Sequence, residues 1–234
     1  MMNNTDTIKL IQDCIENSES KLDSAQILSD KGKFGDAISW IIIAYEEAGK
    51  ADFLTNKFTN KEPILETDWN SLTKGGSHTK KLIMYYENRK KTFESMSDPD
   101  FLTLQNHYKK ILPVTHSRYQ IMEELEKTIN FFKKLNVLKK KITYVDNQPQ
   151  NKQFTENELT AIFLLLNFET RKSISLTKFG LESISFIPTG NDSKDLKRID
   201  KFDSFKKMLE LKKESILPQN VKQFALAKSL LQNL

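Results

Sequence analysis

Glycine, proline and cysteine are scarce in this chain of 234 residues, which contains Gly 7, Pro 6 and a single cysteine, Cys14. Glycine and proline together make up about half of their usual share in globular proteins. A fold of many short strands joined by tight turns is therefore not expected. One cysteine excludes a disulfide framework and a cysteine-based zinc cluster, and this is typical of proteins from a reducing compartment.

Long apolar runs are also missing from the sequence. No stretch approaches the roughly 18 consecutive apolar residues that a membrane span needs, and the first ten residues lack the basic and apolar blocks of a signal peptide. These absences predict a cytoplasmic protein that does not interact with a membrane. Hydrophobic residues still make up 38% of the chain, which is enough for one sizeable core and argues against wholesale disorder.

Positive charge exceeds negative charge only slightly, with 36 basic and 31 acidic residues and a net charge of +5. Most of the basic residues are lysines, and they occur in small clusters along the chain. Two interpretations remain open: these clusters are solvated helix faces, or several of them converge into a surface that binds a phosphate backbone. In the second interpretation Lys80, Arg89 and Lys90 are the candidate RNA-binding residues.

Apolar residues recur at helical spacing through most of the chain, which predicts an all-α bundle of about seven helices in a single domain, 1–234. The first two helices are joined by a short turn around Gly32 and are expected to be antiparallel neighbours. Helices are predicted at 5–31, 34–57, 68–93, 98–139 (one kinked helix or two helices around Pro113), from 156 onward, at 196–212 and from Pro218 onward.

Local signals mark several boundaries of these helices. Thr155 and Glu158 have the spacing of a capping box, which predicts a helix start directly after Thr155. Pro218 is expected in the first turn of the last helix. The helical period is lost only at 142–149, which is predicted to be a loop or a short extended segment.

The second helix carries the most conspicuous charges of the chain. Its first half is apolar nearly all round, as in a helix at the centre of a bundle, and a Glu-Glu-Ala-Gly-Lys sequence follows at 46–50. An unpaired charge near packed surface costs several kcal/mol, so these charges must be paired or used. In the alternative interpretation, Glu46 and Lys50 form an i,i+4 surface pair worth a few tenths of a kcal/mol. Gly49 indicates a close approach of another backbone.

Histidine is the other candidate for chemistry. His78 and Lys81 are three residues apart and therefore share one face of a helix, although a lone histidine among basic residues is more often simply solvated. The two remaining histidines have no Asp, Glu or His at i,i+4. No metal site, glycine-rich phosphate loop or nucleophile elbow is predicted, and no cofactor is expected.

Four segments occur in the same order as in a known family. They are Ala25-x-x-Leu28-x-x-x-Gly32-x-Phe34-x-x-Ala37, Ala44-Tyr45-Glu46-Glu47-Ala48-Gly49-Lys50, Ser77-His78-x-x-Lys81 and Tyr144-Val145-Asp146. Together they resemble the AbiV family of phage abortive-infection proteins over roughly residues 20–150. AbiV proteins look like members of the wider HEPN group of α-helical domains, many of which are metal-independent ribonucleases that act as dimers.

The resemblance implies an HEPN-like bundle with an AbiV-like core at about 5–150 and C-terminal helices, 155–234, packed on it. It also implies a phage-defence effector that acts on RNA or translation to arrest the growth of infected cells. A homodimer, an RNA ligand and a phage-encoded activator protein are the partners implied. The alternative is a non-catalytic helical module that binds a phage or host protein.

The resemblance makes Glu47, Lys50, His78 and Lys81 the candidate catalytic residues, expected as one cluster between the second and third helices. If RNA is cleaved, the histidine would move protons, a lysine would stabilise the phosphorane charge, and Glu47 would hold the imidazole tautomer. One departure favours the non-catalytic alternative. HEPN nucleases usually carry an arginine followed four to six residues later by a histidine, and no arginine of this chain has such a neighbour.

Overall fold

The computed structural model describes residues 4–59, 62–65, 78–109, 117–143, 154–184 and 192–234. In these ranges the chain forms nine α-helices and no strand, which confirms the predicted all-α class. None of these helices is long and apolar enough to cross a membrane. The helices are α1 (Asn4–Asp30), α2 (Phe34–Thr59), α3 (His78–Ser95), α4 (Asp98–Lys109), α5 (Arg118–Thr143), α6 (Glu156–Ile184), α7 (Asp192–Ile199), α8 (Asp203–Ser215) and α9 (Pro218–Gln232).

The first two helices form the antiparallel hairpin that the sequence predicts. α1 is closed by Gly32, which adopts the left-handed conformation with φ of 71°. The N–H of Lys33 donates to the carbonyl of Leu28 at 2.9 Å, so the turn is a Schellman motif. Further along the hairpin, the Ser18 hydroxyl donates to the Ala44 carbonyl at 2.7 Å.

α2 is the central helix of the fold. It contacts α1, α3, α5 and α6, and Ile38, Ile41, Ile42 and Leu54 on it are completely buried. A helix that is apolar nearly all round needs partners on most sides. The central position predicted from its composition is therefore confirmed.

The C-terminal helices continue the packing from α2 outward. The predicted capping box is confirmed at the start of α6, where the Thr155 N–H donates to Glu158 at 2.6 Å and the Glu158 N–H donates to the Thr155 hydroxyl at 3.3 Å. α6 packs against α2, and α8 and α9 pack against α6. The Lys134 ammonium of α5 donates to the Leu231 carbonyl at 2.6 Å and so holds the end of α9 against α5.

Two boundaries differ from the sequence-based expectation. Ile142 and Thr143 belong to the last turn of α5 rather than to a loop. The helix extends this far because Ile142 packs against the core. Residues 144–149 lie outside the described residues. The helix expected at 196–212 is two helices, α7 and α8, with a turn at 200–202.

The turn between α7 and α8 packs against α6. Phe202 in this turn and Phe205 at the start of α8 contact the buried Phe179 of α6, with ring centroids 6.0 and 5.9 Å apart. Two other expectations fall partly outside the described residues: 68–77 of the third predicted helix, and the break at Pro113. The described helices on the two sides of that proline are α4 and α5.

Gly49 sits where α2 meets two other helices, and we expect Gly49→Ala to destabilise the fold. An added Cβ would lie 2.9 Å from a Leu82 methyl group and 3.4 Å from the Phe132 ring. The close neighbours are therefore side chains and not the backbone that the sequence suggested. Overpacking of this kind costs about 1–3 kcal/mol, which exceeds the gain of about 1 kcal/mol in helix propensity.

The measurement is the free energy of unfolding by urea, with Gly35→Ala as the matched control. The nearest atom to an added Cβ at Gly35 is an Ile142 methyl group at 3.7 Å, an ordinary contact. We expect this control to be as stable as the wild type or slightly more stable. A Gly49→Ala protein with unchanged or increased stability would contradict the packing described.

Candidate functional site

The charged segment 46–50 lies in the middle of α2, not at its end, and is buried in the bundle. Glu46 is 4% exposed and Lys50 is 6% exposed. The Lys50 ammonium donates to the Glu47 carboxylate at 2.6 Å, an i,i+3 ion pair. The prediction that these charges are paired is confirmed, while the alternative of a surface pair between Glu46 and Lys50 is wrong because Lys50 bonds Glu47 and is itself buried.

Glu46 joins three helices through its carboxylate. The buried Thr79 hydroxyl of α3 donates to one carboxylate oxygen at 2.5 Å, and the Lys139 ammonium of α5 lies 3.3 and 3.4 Å from the two oxygens. The Lys139 side chain is 36% exposed, compared with 5% for its partner. Lys139 therefore links a buried carboxylate to the surface.

Sequence reasoning missed both partners of Glu46. Thr79 follows the candidate His78 directly, yet a threonine in that position carries no signal of its own. Lys139 belongs to a cluster of three lysines, and nothing in its spacing connects it with α2. The contacts span 33 and 93 residues of sequence, so only the packing of α3 and α5 on α2 reveals them.

His78 and Lys81 lie in the first turn of α3, on either side of Thr79 along the chain. Because Thr79 contacts Glu46, this turn lies beside the charged segment 46–50 of α2. The side chains of His78, Lys80 and Lys81 lie outside the described part of the structure. The structure thus brings Glu47 and Lys50 together, and the cluster of these two with His78 and Lys81 stays a prediction.

Arg89 and Lys90, two of the three candidate RNA-binding residues of α3, have protein partners. The Lys90 ammonium bonds Glu126 of α5 at 2.6 Å, and this hydrogen bond raises the pKa of Lys90 and lowers the pKa of Glu126. Arg89 makes a side-chain hydrogen bond with Tyr85. A phosphate would have to compete with both contacts, of which the Lys90 bond links α3 to α5 and the Arg89 bond lies within α3.

Cys14 of α1 lies within electrostatic reach of the Glu47–Lys50 pair. Burial raises the pKa of the Cys14 thiol to about 12, with a further increase from the Glu47 carboxylate that the Lys50 ammonium opposes. A thiol that stays protonated is a poor nucleophile and a poor metal ligand. Among the residues that the structure describes, no group of three or more His, Cys, Asp or Glu side chains could hold a metal ion.

Aromatic residues hold the same three helices in register. The Tyr86 hydroxyl of α3 donates to the Asp52 carboxylate of α2 at 2.8 Å, and the Tyr86 ring stacks on Phe132 of α5 with centroids 5.7 Å apart. Burial raises the pKa of Tyr86, and the Asp52 charge raises it further. The hydroxyl therefore remains a hydrogen-bond donor at any physiological pH.

The central helix α2 of this all-α bundle carries the largely buried Glu-Glu-Ala-Gly-Lys sequence 46–50 in its middle. The HEPN model of the AbiV family matches residues 6–159, about two thirds of the chain. The chain belongs to the AbiV family, so the identification made from the sequence is confirmed. No curated protein and no solved structure matches it.

We expect Glu46→Ala to destabilise the protein, because it removes the acceptor of a buried hydroxyl and the partner of Lys139. An unsatisfied buried donor costs about 1–3 kcal/mol. Glu46→Gln keeps an acceptor for Thr79 and is expected to cost less. Chemical denaturation of the two variants measures the difference.

Glu87→Ala is the control for this series, because Glu87 and Lys133 form an exposed ion pair at 3.1 Å. Exposed pairs contribute about 0–1 kcal/mol. Equal losses of stability in Glu46→Ala and Glu87→Ala would show that the Glu46 contacts contribute no more than an exposed ion pair.

Proposed function

We propose that this AbiV-family protein arrests the growth of phage-infected cells by acting on RNA or translation, through a site where α2, α3 and α5 meet. The observation that carries the proposal is the network of Glu46, Glu47, Lys50 and Lys139, which lies entirely within the family match. Holding charged groups away from water costs several kcal/mol unless they are well paired. Catalytic and binding sites depend on groups that are held at fixed positions by their neighbours in this way.

RNA cleavage at this site would combine the charged network with His78 and Lys81 of the adjoining turn of α3. His78 would accept the proton of a 2′-hydroxyl as that oxygen attacks the adjacent phosphorus, and the departing 5′-oxygen would receive a proton from the same imidazole. Lys50 or Lys81 would stabilise the charge on the phosphorane, and Glu47 would hold the imidazole tautomer. Lys139 is the more exposed of the two ammonium groups in the network and would meet the phosphate first.

Three further parts of the proposal come from the HEPN resemblance. The active form would be a homodimer, since many HEPN ribonucleases act as dimers and a two-fold pair is the commonest closed arrangement. A phage-encoded protein would activate it. The reaction would need no divalent cation, because RNA cleavage by histidine and lysine groups requires only proton transfer and charge stabilisation.

A second candidate function is a non-catalytic module that binds a phage or host protein. Two observations favour it: no arginine precedes a histidine by four to six residues, and Lys50 and Lys90 are both held in ion pairs of 2.6 Å. In this case the buried charges have a structural role only. Incubation of the purified protein with total cellular RNA separates the two functions, because only the first produces cleavage.

We expect His78→Ala to abolish two activities: RNA cleavage, and the protection of cells against phage. The thermal midpoint of unfolding is expected to stay unchanged. Loss of a general acid or base lowers the rate about 10²–10⁴-fold. His107→Ala is the matched control and is expected to behave as the wild type, because His107 lies on α4, which carries none of the network residues. The measurements are survival of infected cells, cleavage rate and thermal midpoint for each variant.

Lys50→Ala is the second variant of this experiment, because the structure describes the ion pair of Lys50 with Glu47 that this substitution removes. Loss of activity together with a lowered melting point in Lys50→Ala, and full activity in His78→Ala, would assign the network a structural role. Protection that survives in both variants would refute the site.

We expect RNA cleavage by the purified protein to continue unchanged in excess EDTA. The proposed groups act by proton transfer and electrostatics and hold no cation in place. Cleavage rates with EDTA, and after addition of magnesium or manganese, are the measurement. Activity that is lost in EDTA and restored by either cation would shift the candidate set to the carboxylates Glu46, Glu47 and Asp146.

A further inference from the structure

An open groove of about 650 Å³ lies among α6, α8 and α9. α8 and α9 each pack extensively against α6, but they touch each other only slightly. The groove therefore has α6 as its floor and the other two helices as its walls. Its volume is within the range of about 300–1,000 Å³ that is typical of binding pockets.

Each of the three helices presents an apolar pair at i,i+3 spacing to this groove. The pairs are Leu165 and Phe168, Met208 and Leu211, and Val221 and Phe224. Residues three apart lie on one face of a helix, so three apolar stripes converge on one open space. This is the arrangement of a four-helix bundle from which one helix is missing. Val221 is 51% exposed and Leu176 at the edge of the groove is 48% exposed.

Lysines surround the apolar floor, one from each helix: Lys172, Lys212 and Lys228. The carboxylate that lines the groove with them is Glu169, which lies 3.6 Å from Lys172. Lys212 and Lys228 form no ion pair with any residue that the structure describes. The rim of the groove is therefore positively charged, and two of its ammonium groups are available to a ligand.

We propose that this groove binds an amphipathic helix of a partner protein, one that carries acidic residues on both sides of its apolar face. Helices bind such grooves through apolar anchors at i, i+3 or i+4, and i+7. Acidic flanks would meet Lys212 on one wall and Lys228 on the other. The family match ends at residue 159, before the first groove residue, so the surface belongs to the part of the chain that the family does not describe.

The test uses the full chain and two designed helical peptides as probes. Both have leucines at i, i+3 and i+7, and the flanking positions are glutamate in one peptide and lysine in the other. We expect the glutamate peptide to bind at least about tenfold more tightly, with an affinity that falls as salt is added. Failure of the glutamate peptide to bind, or equal binding of the two, overturns the proposal.

Two matched variants test whether the peptide binds in the groove. Val221→Asp puts a charge on the apolar α9 wall of the groove and is expected to weaken binding at least about tenfold, whereas Leu209→Asp is expected to have no effect. Leu209 is on α8, the other wall helix, and is similarly exposed, at 45%, but it does not line the groove. Equal effects of the two substitutions would overturn the assignment.

The double variant Lys212→Glu with Lys228→Glu changes no apolar contact, so it tests the charge of the rim alone. We expect it to prefer the lysine peptide. Light scattering gives the mass in parallel: a wild-type dimer that Val221→Asp dissociates would assign the groove to a second copy of the chain and overturn the proposed acidic partner. The RNA experiments do not involve this groove, so the two proposals fail independently.

Discussion

The burial of the charged segment 46–50 of α2 is the constraint on which the packing of the site depends. The apolar first half of α2 forces this helix into the centre of the bundle, and the helix continues without a break to Thr59. Glu46 and Lys50 are therefore carried into the core with it. Burial of unpaired charges would cost several kcal/mol each, so the neighbouring helices must supply partners at fixed positions.

The partners that Glu46 receives also fix how α3 and α5 are placed. The Thr79 hydroxyl holds the first turn of α3 against α2, and Lys139 holds the last part of α5 there. Aromatic contacts of Tyr86 with Phe132 and its hydrogen bond to Asp52 act on the same three helices. A polar network and an aromatic cluster thus restrain the same three-helix junction, which is the preorganisation that a catalytic or binding site requires.

The C-terminal helices give the fold a second surface and a physical link to the first. α6 packs against α2, and α9 is tied to α5 by the bond from Lys134 to the Leu231 carbonyl. Lys134 precedes Lys139 by five residues on the same helix. α5 therefore contacts α9 through Lys134 and Glu46 of α2 through Lys139.

The sequence by itself determined the elements whose causes are local. Apolar periodicity placed the helices, the Thr155–Glu158 capping box started α6, and Gly32 closed α1, because each of these depends on residues a few positions apart. The motif order also identified the family. Tertiary structure alone decided that Lys50 bonds Glu47, that Thr79 and Lys139 bond Glu46, that Lys90 bonds Glu126, and that a turn at 200–202 interrupts the helix expected at 196–212. Most of these partners come from helices distant in sequence, and even the choice of Glu47 over Glu46 depends on which side of α2 the other helices cover. The local spacing of residues in the sequence does not predict which distant helix supplies a partner, nor which of the two glutamates Lys50 bonds.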